Sequence, residues 1–418
     1  MNEIDMTRYG RIITEYAKTK YRQCLREPSG FLHYKFIVPG SVYSDSLWDW
    51  DSWLTNIALR RVANGDEIEA YEKGCVLNFL ENTDECGRMP IYITPDKRFG
   101  GKAPIGTAEE PSNIHKPCIT QHALFIAEQN ENDAEWLRAY YPIIEKFIGW
   151  YETNCRHESG LFVWIDDCAI GVDNDPCTFY RPRKSSASIY LNCLLYKELL
   201  AASRIGELLG LNEKKTLYGK KADELKDAIQ AHCWDERDGS FYSVDTMLLP
   251  VNVNEKLHSG CPRHWSTIIQ RIDVWSNFMP MWAGIATPEQ AERMVNEHYK
   301  NTRTFNAPYG VRTLSRLEKM YAVIKSGNPS CWLGPIWGIS NYMVFDGLRK
   351  YGYKEEAREL AEKTVIMLGR DIELNGEMHE YYHPDTGDGV HNKGFQSWNL
   401  LVNNMLAYLD GKKVITEF

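Results

Sequence analysis

Two kinds of helical pattern succeed one another along the chain. In the first, apolar residues recur on one face only. Tyr9, Ile12, Ile13, Tyr16 and Ala17 stand at i, i+3, i+4, i+7 and i+8; Ala291, Met294, Val295 and His298 repeat that spacing, as do Ala357, Leu360, Ala361 and Thr364. The second kind is apolar almost all round, over residues 123–127, 189–200, 336–348 and 398–406. A helix without a polar face must be covered on every side. Thr287-Pro288-Glu289-Gln290 marks a helix start, with capping-box spacing and proline at the first helical position.

The two kinds roughly alternate, in about a dozen helices. Repetition of an all-apolar helix and an amphipathic one predicts an inner ring wrapped by an outer ring, an all-α (α/α)6 barrel. An irregular solenoid would show a sequence repeat of fixed period, and none is present. The prolines mostly separate helical stretches, and no Pro/Gly/Ser-rich linker or long charge block divides the chain. Residues 1–418 are therefore read as a single (α/α)6 domain. In such a ring the connections at one end of the inner helices converge over a central funnel, where a pocket belongs.

Composition narrows the class. The 418 residues carry 48 Lys+Arg against 57 Asp+Glu, a net charge of −9, which argues against a nucleic-acid partner bound through a basic face. A hydrophobic share of 43% with 25% charged residues excludes a disordered chain. No run approaches the ~18 apolar residues of a membrane span, and MNEIDMTRYG lacks the basic and apolar regions of a secretory signal. The expectation is a cytoplasmic protein without a membrane partner; a homo-oligomer is left open. The eleven cysteines, an odd number with no CxxC pair or zinc-finger spacing, read as reduced thiols packed as small hydrophobes.

Aromatic residues change the picture most: Trp 13, Tyr 24, Phe 14. Tryptophan is densest in Leu47-Trp48-Asp49-Trp50-Asp51-Ser52-Trp53. Tryptophans interleaved with aspartates cannot all be core, since a buried carboxylate needs partners. Four segments share this chemistry of Trp, Asp, Glu, Gly and Pro, at residues 39–53, 171–176, 331–337 and 380–389. Each leads into an apolar helix or follows a helix end. Carboxylates beside aromatic platforms suit sugars, whose C–H faces pack on rings while their hydroxyls donate to carboxylates. Hydrolysis of a glycosidic bond then needs two further carboxyls, an acid at the leaving oxygen and a base for water.

In order and content these segments resemble glycoside hydrolase family 63, and more weakly the family 37 trehalases. Pro39-Gly40 and Trp50-Asp51-Ser52 match a Pro-Gly loop running into Trp-Asp-Ser. Gly171-Val172-Asp173-Asn174 matches a Gly-x-Asp-Asn segment, and residues 332–337 match Trp-x-Gly-Pro-Ile-Trp. Residues 380–387 followed by Ser397-Trp398 match Glu-x-Tyr-x-Pro-x-Thr-Gly and Ser-Trp. Residues 234–242 and Tyr309-Gly310-Val311-Arg312 are similar to the family's outer loops. Leu333 departs from the family's usual arginine, and no segment matches the accessory β-domain of larger members. It resembles the compact bacterial branch that hydrolyses mannosylglycerate and glucosylglycerate.

The resemblance implies inverting hydrolysis of a short α-glucoside or α-mannoside, a small carbohydrate substrate, without metal or cofactor. Asp173 would be the general acid and Glu380 the general base. Tyr43, Trp50, Asp51, Gln121, Trp332, Trp337, Tyr381, Tyr382 and Trp398 would bind the sugar. Arg183, in a cluster with Arg181 and Lys184, would suit a carboxylate on the departing group.

Blander readings compete. Asp173 has rivals in Asp175, Asp166 and Asp167, and a loop aspartate is commonly a turn residue. Glu377 competes with Glu380. Asp49 and Asp51 would also serve as helix caps. Trp332 and Trp337 would also serve as core, and the 181–184 cluster as a solvated loop. Asp385 and Asp388 supply too few oxygens for calcium. Two other functions share such rings. A sugar 2-epimerase needs paired histidines, for which only His383 and His391 lie in the aromatic loops; a sugar-sensing scaffold needs no carboxyl pair.

Overall fold

The segments apolar all round form the inner ring. The computed structural model describes residues 3–100, 110–248, 265–323 and 330–416. Among these residues twelve α-helices follow in order: α1 Glu3–Lys20, α2 Asp49–Val62, α3 Gly65–Glu81, α4 Ile119–Gln129, α5 Tyr141–Asn154, α6 Ile189–Leu208, α7 Asn212–Cys233, α8 Met279–Trp282, α9 Pro288–Arg293, α10 Gly338–Lys350, α11 Lys354–Asn375 and α12 Val402–Leu409. The even-numbered helices are the inner ones. α2 packs on α4, α4 on α6, α6 on α8, α8 on α10 and α10 on α12, which returns to α2. The odd-numbered helices wrap them, closing an (α/α)6 barrel.

Burial follows the two patterns. α10 is buried continuously from Gly338 to Leu348, whereas α7 buries only Tyr218, Ala222, Leu225, Ala228, Ile229 and Cys233. The capping box at Thr287 and Gln290 is formed, and α11 ends on Gly376 in the left-handed region at φ +75°. The N-terminus of α4 is capped from α6, where Glu198 accepts the N–H groups of Thr120 and Gln121 at 2.8 and 3.2 Å.

Three details depart from the periodicity. Ile336–Trp337 is a strand rather than the first turn of α10, because it pairs with Tyr381–Tyr382. The last inner element starts as a 3-10 turn, Ser397–Leu401, before α12. α9 continues as a π-helix, Met294–Tyr299, where an α-helix was expected.

Short antiparallel sheets precede three inner helices: Leu47–Trp48 enters α2, Ser186–Ala187 enters α6 and Ile336–Trp337 enters α10. The same end of the ring thus gathers helix N-termini, with their partial positive charge, and the segments rich in Trp and Asp. No described helix is long and apolar enough to cross a membrane.

Candidate active site

At these N-termini lies a cavity of about 370 Å³. Trp50 and Asp51 enter it from the first turn of α2, Lys116 from the approach to α4, and Trp337 and Trp398 from the starts of the last two inner elements. Asp173 and Glu380 enter from loops, and Tyr43 stands at the mouth. A larger groove of about 930 Å³ lies on the outer surface against α1, α11 and α12; among its described lining residues there is no aromatic ring and none from the four segments.

The wall is a stack of rings. Trp337 stacks on Trp332 at 4.1 Å and on Tyr381 at 4.9 Å, and Trp332 stacks on Trp275 at 5.8 Å. Trp50 meets Trp398 edge-on at 5.2 Å. Edge and offset contacts of this kind hold flat surfaces rigid without consuming hydrogen bonds.

Local backbone geometry delivers the carboxyls. Gly171 has φ +88°, and a Cβ there would lie 2.3 Å from Lys116 Cε and 2.9 Å from Trp50 Cζ2, so only glycine lets the Asp173 loop reach the indole. Asn174, at φ +55°, then clamps two segments together: its Nδ2 donates to the Ser330 carbonyl at 3.1 Å, and its Oδ1 accepts from Trp332 N at 3.0 Å. Across the cavity, the Pro39 carbonyl accepts from Gln396 N and Ser397 N at 2.9 and 2.7 Å, and Ser397 Oγ donates to Asp51 at 3.2 Å. Glu380 sits on a hairpin anchored by Asp371 of α11, which takes the Tyr382 hydroxyl at 2.8 Å and pairs with His379 at 2.9 Å. Asn392 Nδ2 donates to Glu380 Oε2 at 2.5 Å and to the Tyr43 hydroxyl at 2.9 Å.

Burial dominates the electrostatics. It raises Asp51 to about 8, helped by the charge of Asp49 and opposed by Lys116 and Ser397. It raises Glu380 to about 7, opposed by the Asn392 hydrogen bond and helped by the charge of Asp173. Asp173 is also raised by burial, against a hydrogen bond from Ser330 and the charge of Lys116. Lys116 is the one cation among the described lining residues, and it is held by Asp49 at 2.9 Å. Near neutral pH the cavity therefore holds protonated and ionised carboxyls together, the condition for acid and base chemistry in one place.

The structure brings Tyr43, Trp50, Asp51, Asp173, Trp337, Glu380 and Trp398 to the cavity. Trp332 and Tyr381 lie behind Trp337 as its backing rather than as lining. Gln121, Tyr382 and Arg183 are not among the described residues lining the cavity. The Gln121 amide ties α4 to α6 through the Pro117 and Leu194 carbonyls. Tyr382 points away from the cavity to Asp371, as strand alternation requires beside Tyr381. Arg183 is held by Asp166 at 2.8 Å. Of the rivals, Asp175 closes a turn onto Cys177 and Thr178, and Glu377 is bound by Tyr16 and Lys20. Lys116, Asn392 and Ser397 are the contributors that sequence reasoning did not single out. Ser397 lies in the Ser-Trp pair and was within reach; Lys116 and Asn392 carry no local signal.

Among the described residues no three His, Cys, Asp or Glu side chains converge as a metal site requires. Asp385 pairs with Arg312 and Asp388 with Arg370.

The helical ring and its carboxyl-bearing aromatic funnel define the class as an (α/α)6 glycoside hydrolase. Residues 44–398 match the mannosylglycerate hydrolase MGH1-like glycoside hydrolase domain, and the chain belongs to that family. It is 30% identical to the mannosylglycerate hydrolase MGH1 of Selaginella moellendorffii, over 87% of this chain and 80% of that protein. It is 24% identical to a cytosolic neutral trehalase of Kluyveromyces lactis over 86% of this chain, and spans only 52% of that longer protein. The crystal structure of the GH63 mannosylglycerate hydrolase from Thermus thermophilus with Tris and D-glycerate superposes with a TM-score of 0.65 at 17% identity, covering 94% of this chain and 99% of that one.

Proposed function

We propose that this chain is a single-domain, cytoplasmic, metal-independent inverting α-glycosidase acting on a short α-mannoside or α-glucoside. The observation that carries the proposal is that Asp173 and Glu380, from distant segments, line one cavity walled by Trp50, Trp337 and Trp398. Asp173, whose buried position favours the protonated form, acts in that form and donates its proton to the glycosidic oxygen as the bond to the anomeric carbon breaks. Glu380, ionised, takes a proton from a water that attacks the opposite face of that carbon. The sugar leaves with inverted configuration, Asp173 ends ionised and Glu380 protonated, and proton exchange with solvent resets the pair. Such a pair stands ~6.5–9.5 Å apart to admit the water. Asp51, fixed by Ser397, holds ring hydroxyls at the floor. The activities for which the relatives are named, mannosylglycerate hydrolysis and trehalose hydrolysis, support α-mannosides and α-glucosides as the classes to test.

The experiment is a panel of α-linked disaccharides and glycosylglycerates, with the anomer of the released sugar followed by NMR. Release of the β-anomer, and loss of turnover in Asp173→Asn and Glu380→Gln, is the expected result. Full activity in the double variant, or release of the α-anomer first, refutes the mechanism. Among the described lining residues there is no histidine to supply an epimerase's proton-transfer pair.

A further inference from the structure

The floor and the mouth of the cavity differ in chemistry. At the floor Trp50, Trp337 and Trp398 are 3%, 1% and 4% exposed, so a pyranose resting there has no way onward. Whatever is attached to it must run toward the open side of the cavity, where Tyr43 is 41% exposed. The mouth carries the hairpin formed by Pro90–Ile93 and Arg98–Gly100, paired onto Leu47–Trp48. Register places three rings side by side there: Trp48 lies 4.4 Å from Tyr92, and Tyr92 stacks on Phe99 at 5.1 Å with 12° between planes. Tyr43 adds an edge contact to Trp48 at 5.9 Å. All four rings line the cavity.

Charge at the mouth points the same way. The only cation among the described lining residues, Lys116, is engaged by Asp49 and lies at the floor with 2% of its side chain exposed. Arg183, which would have met an anionic leaving group, is held by Asp166 outside the lining. Lys97 lies 5.7 Å from the Tyr92 ring, and it too is not part of the lining. Among the described lining residues an anionic leaving group would meet carboxyls and one cation already engaged by Asp49, whereas the C–H face of a neutral ring would meet aromatic surface.

We infer that Trp48, Tyr92 and Phe99 form a leaving-group subsite for a second, uncharged sugar ring, so that neutral α-linked disaccharides are preferred over glycosides of a hydroxy acid. The inference rests on the hydrolase reading of the same cavity. α-Glucosyl and α-mannosyl fluoride separate the two, because fluoride needs neither a ring platform nor a proton donor to depart. The comparison is kcat/KM for α-linked disaccharides, the matching glycosylglycerates and the fluorides, in the wild type, Phe99→Ala and Phe99→Tyr. The expected result is a disaccharide turned over at least about tenfold better than the glycosylglycerate of the same sugar. In Phe99→Ala the disaccharide-to-fluoride ratio of kcat/KM falls about fivefold to tenfold, as loss of one stacking contact implies, and Phe99→Tyr restores it. Equal or better use of the glycosylglycerate overturns the subsite, as does an unchanged ratio in Phe99→Ala. Failure of the wild type on both fluorides removes the hydrolase reading, and the subsite with it.

Discussion

Asn392 offers a direct handle on the proposed base. Its amide donates to Glu380 from a residue at φ +45°, a conformation that glycine tolerates, so Asn392→Gly removes the side chain without straining the turn. A hydrogen bond donated to a carboxylate favours the ionised form, and its loss raises the pKa. Hydrogen bonds to charged groups contribute about 1.5–3 kcal/mol, which at 1.36 kcal/mol per unit corresponds to a rise of about one to two units. Glu380 stands at about 7 in the intact protein, so half of it is ionised at pH 7. A rise of one unit leaves about a tenth ionised, and the rate at pH 7 falls about fivefold, recovering above about pH 9. The assay is kcat/KM against pH on a glycosyl fluoride, where Asp173 need not act and the rising limb reports the base alone. An unmoved limb, a limb shifted to lower pH, or a uniform loss at every pH refutes the role given to Asn392.

Gly171→Ala places a methyl group against Lys116 Cε and the Trp50 indole at a positive φ. We expect a stability loss of about 1–3 kcal/mol, read as a lower Tm, together with lower glycosidase activity; a wild-type Tm and kcat would contradict the close packing. Glu198 is raised by burial from its ordinary value to about 7, so folding takes up a proton and the stabilisation is present at low pH and lost as pH rises through about 7. Glu198→Gln cannot titrate, and its stability relative to wild type should improve by on the order of 3 kcal/mol between pH 4.5 and 8; parallel Tm curves across that range would exclude the effect.

The inner ring was legible because α6 and α10 have no polar face to give to water, and only burial on all sides accommodates that. The strand at Ile336–Trp337 was not, since two apolar residues carry no period of their own and the pairing with Tyr381–Tyr382 decides the matter. At the site, Trp50, Asp51 and Glu380 stood out because aromatic and acidic residues shared a segment, whereas Asp173, in a segment without an aromatic ring, was legible only through the resemblance to Gly-x-Asp-Asn. Lys116 stayed hidden because the residue that defines its place, Asp49, is 67 positions away. The partner of Arg183 was not legible, because a loop arginine pairs with whichever carboxylate the fold brings close, here Asp166. Tyr381 and Tyr382 read as equals in sequence, but the strand turns one to the ring stack and the other to α11.

The hydrogen bond from Ser397 to Asp51 joins residues 346 positions apart. At a synthesis rate of ~5–20 residues per second, Asp51 emerges roughly 20–70 s before its partner. Throughout that interval Asp51, proposed to bind the sugar, lacks the Ser397 hydroxyl, and Glu380 is likewise made long after it. On the proposed mechanism, turnover therefore waits until the inner element bearing Ser397 docks on the first inner helix. That long-range closure is entropically demanding and forms slowly, which makes the final docking step, rather than any local helix, the event that couples folding of this chain to the onset of activity.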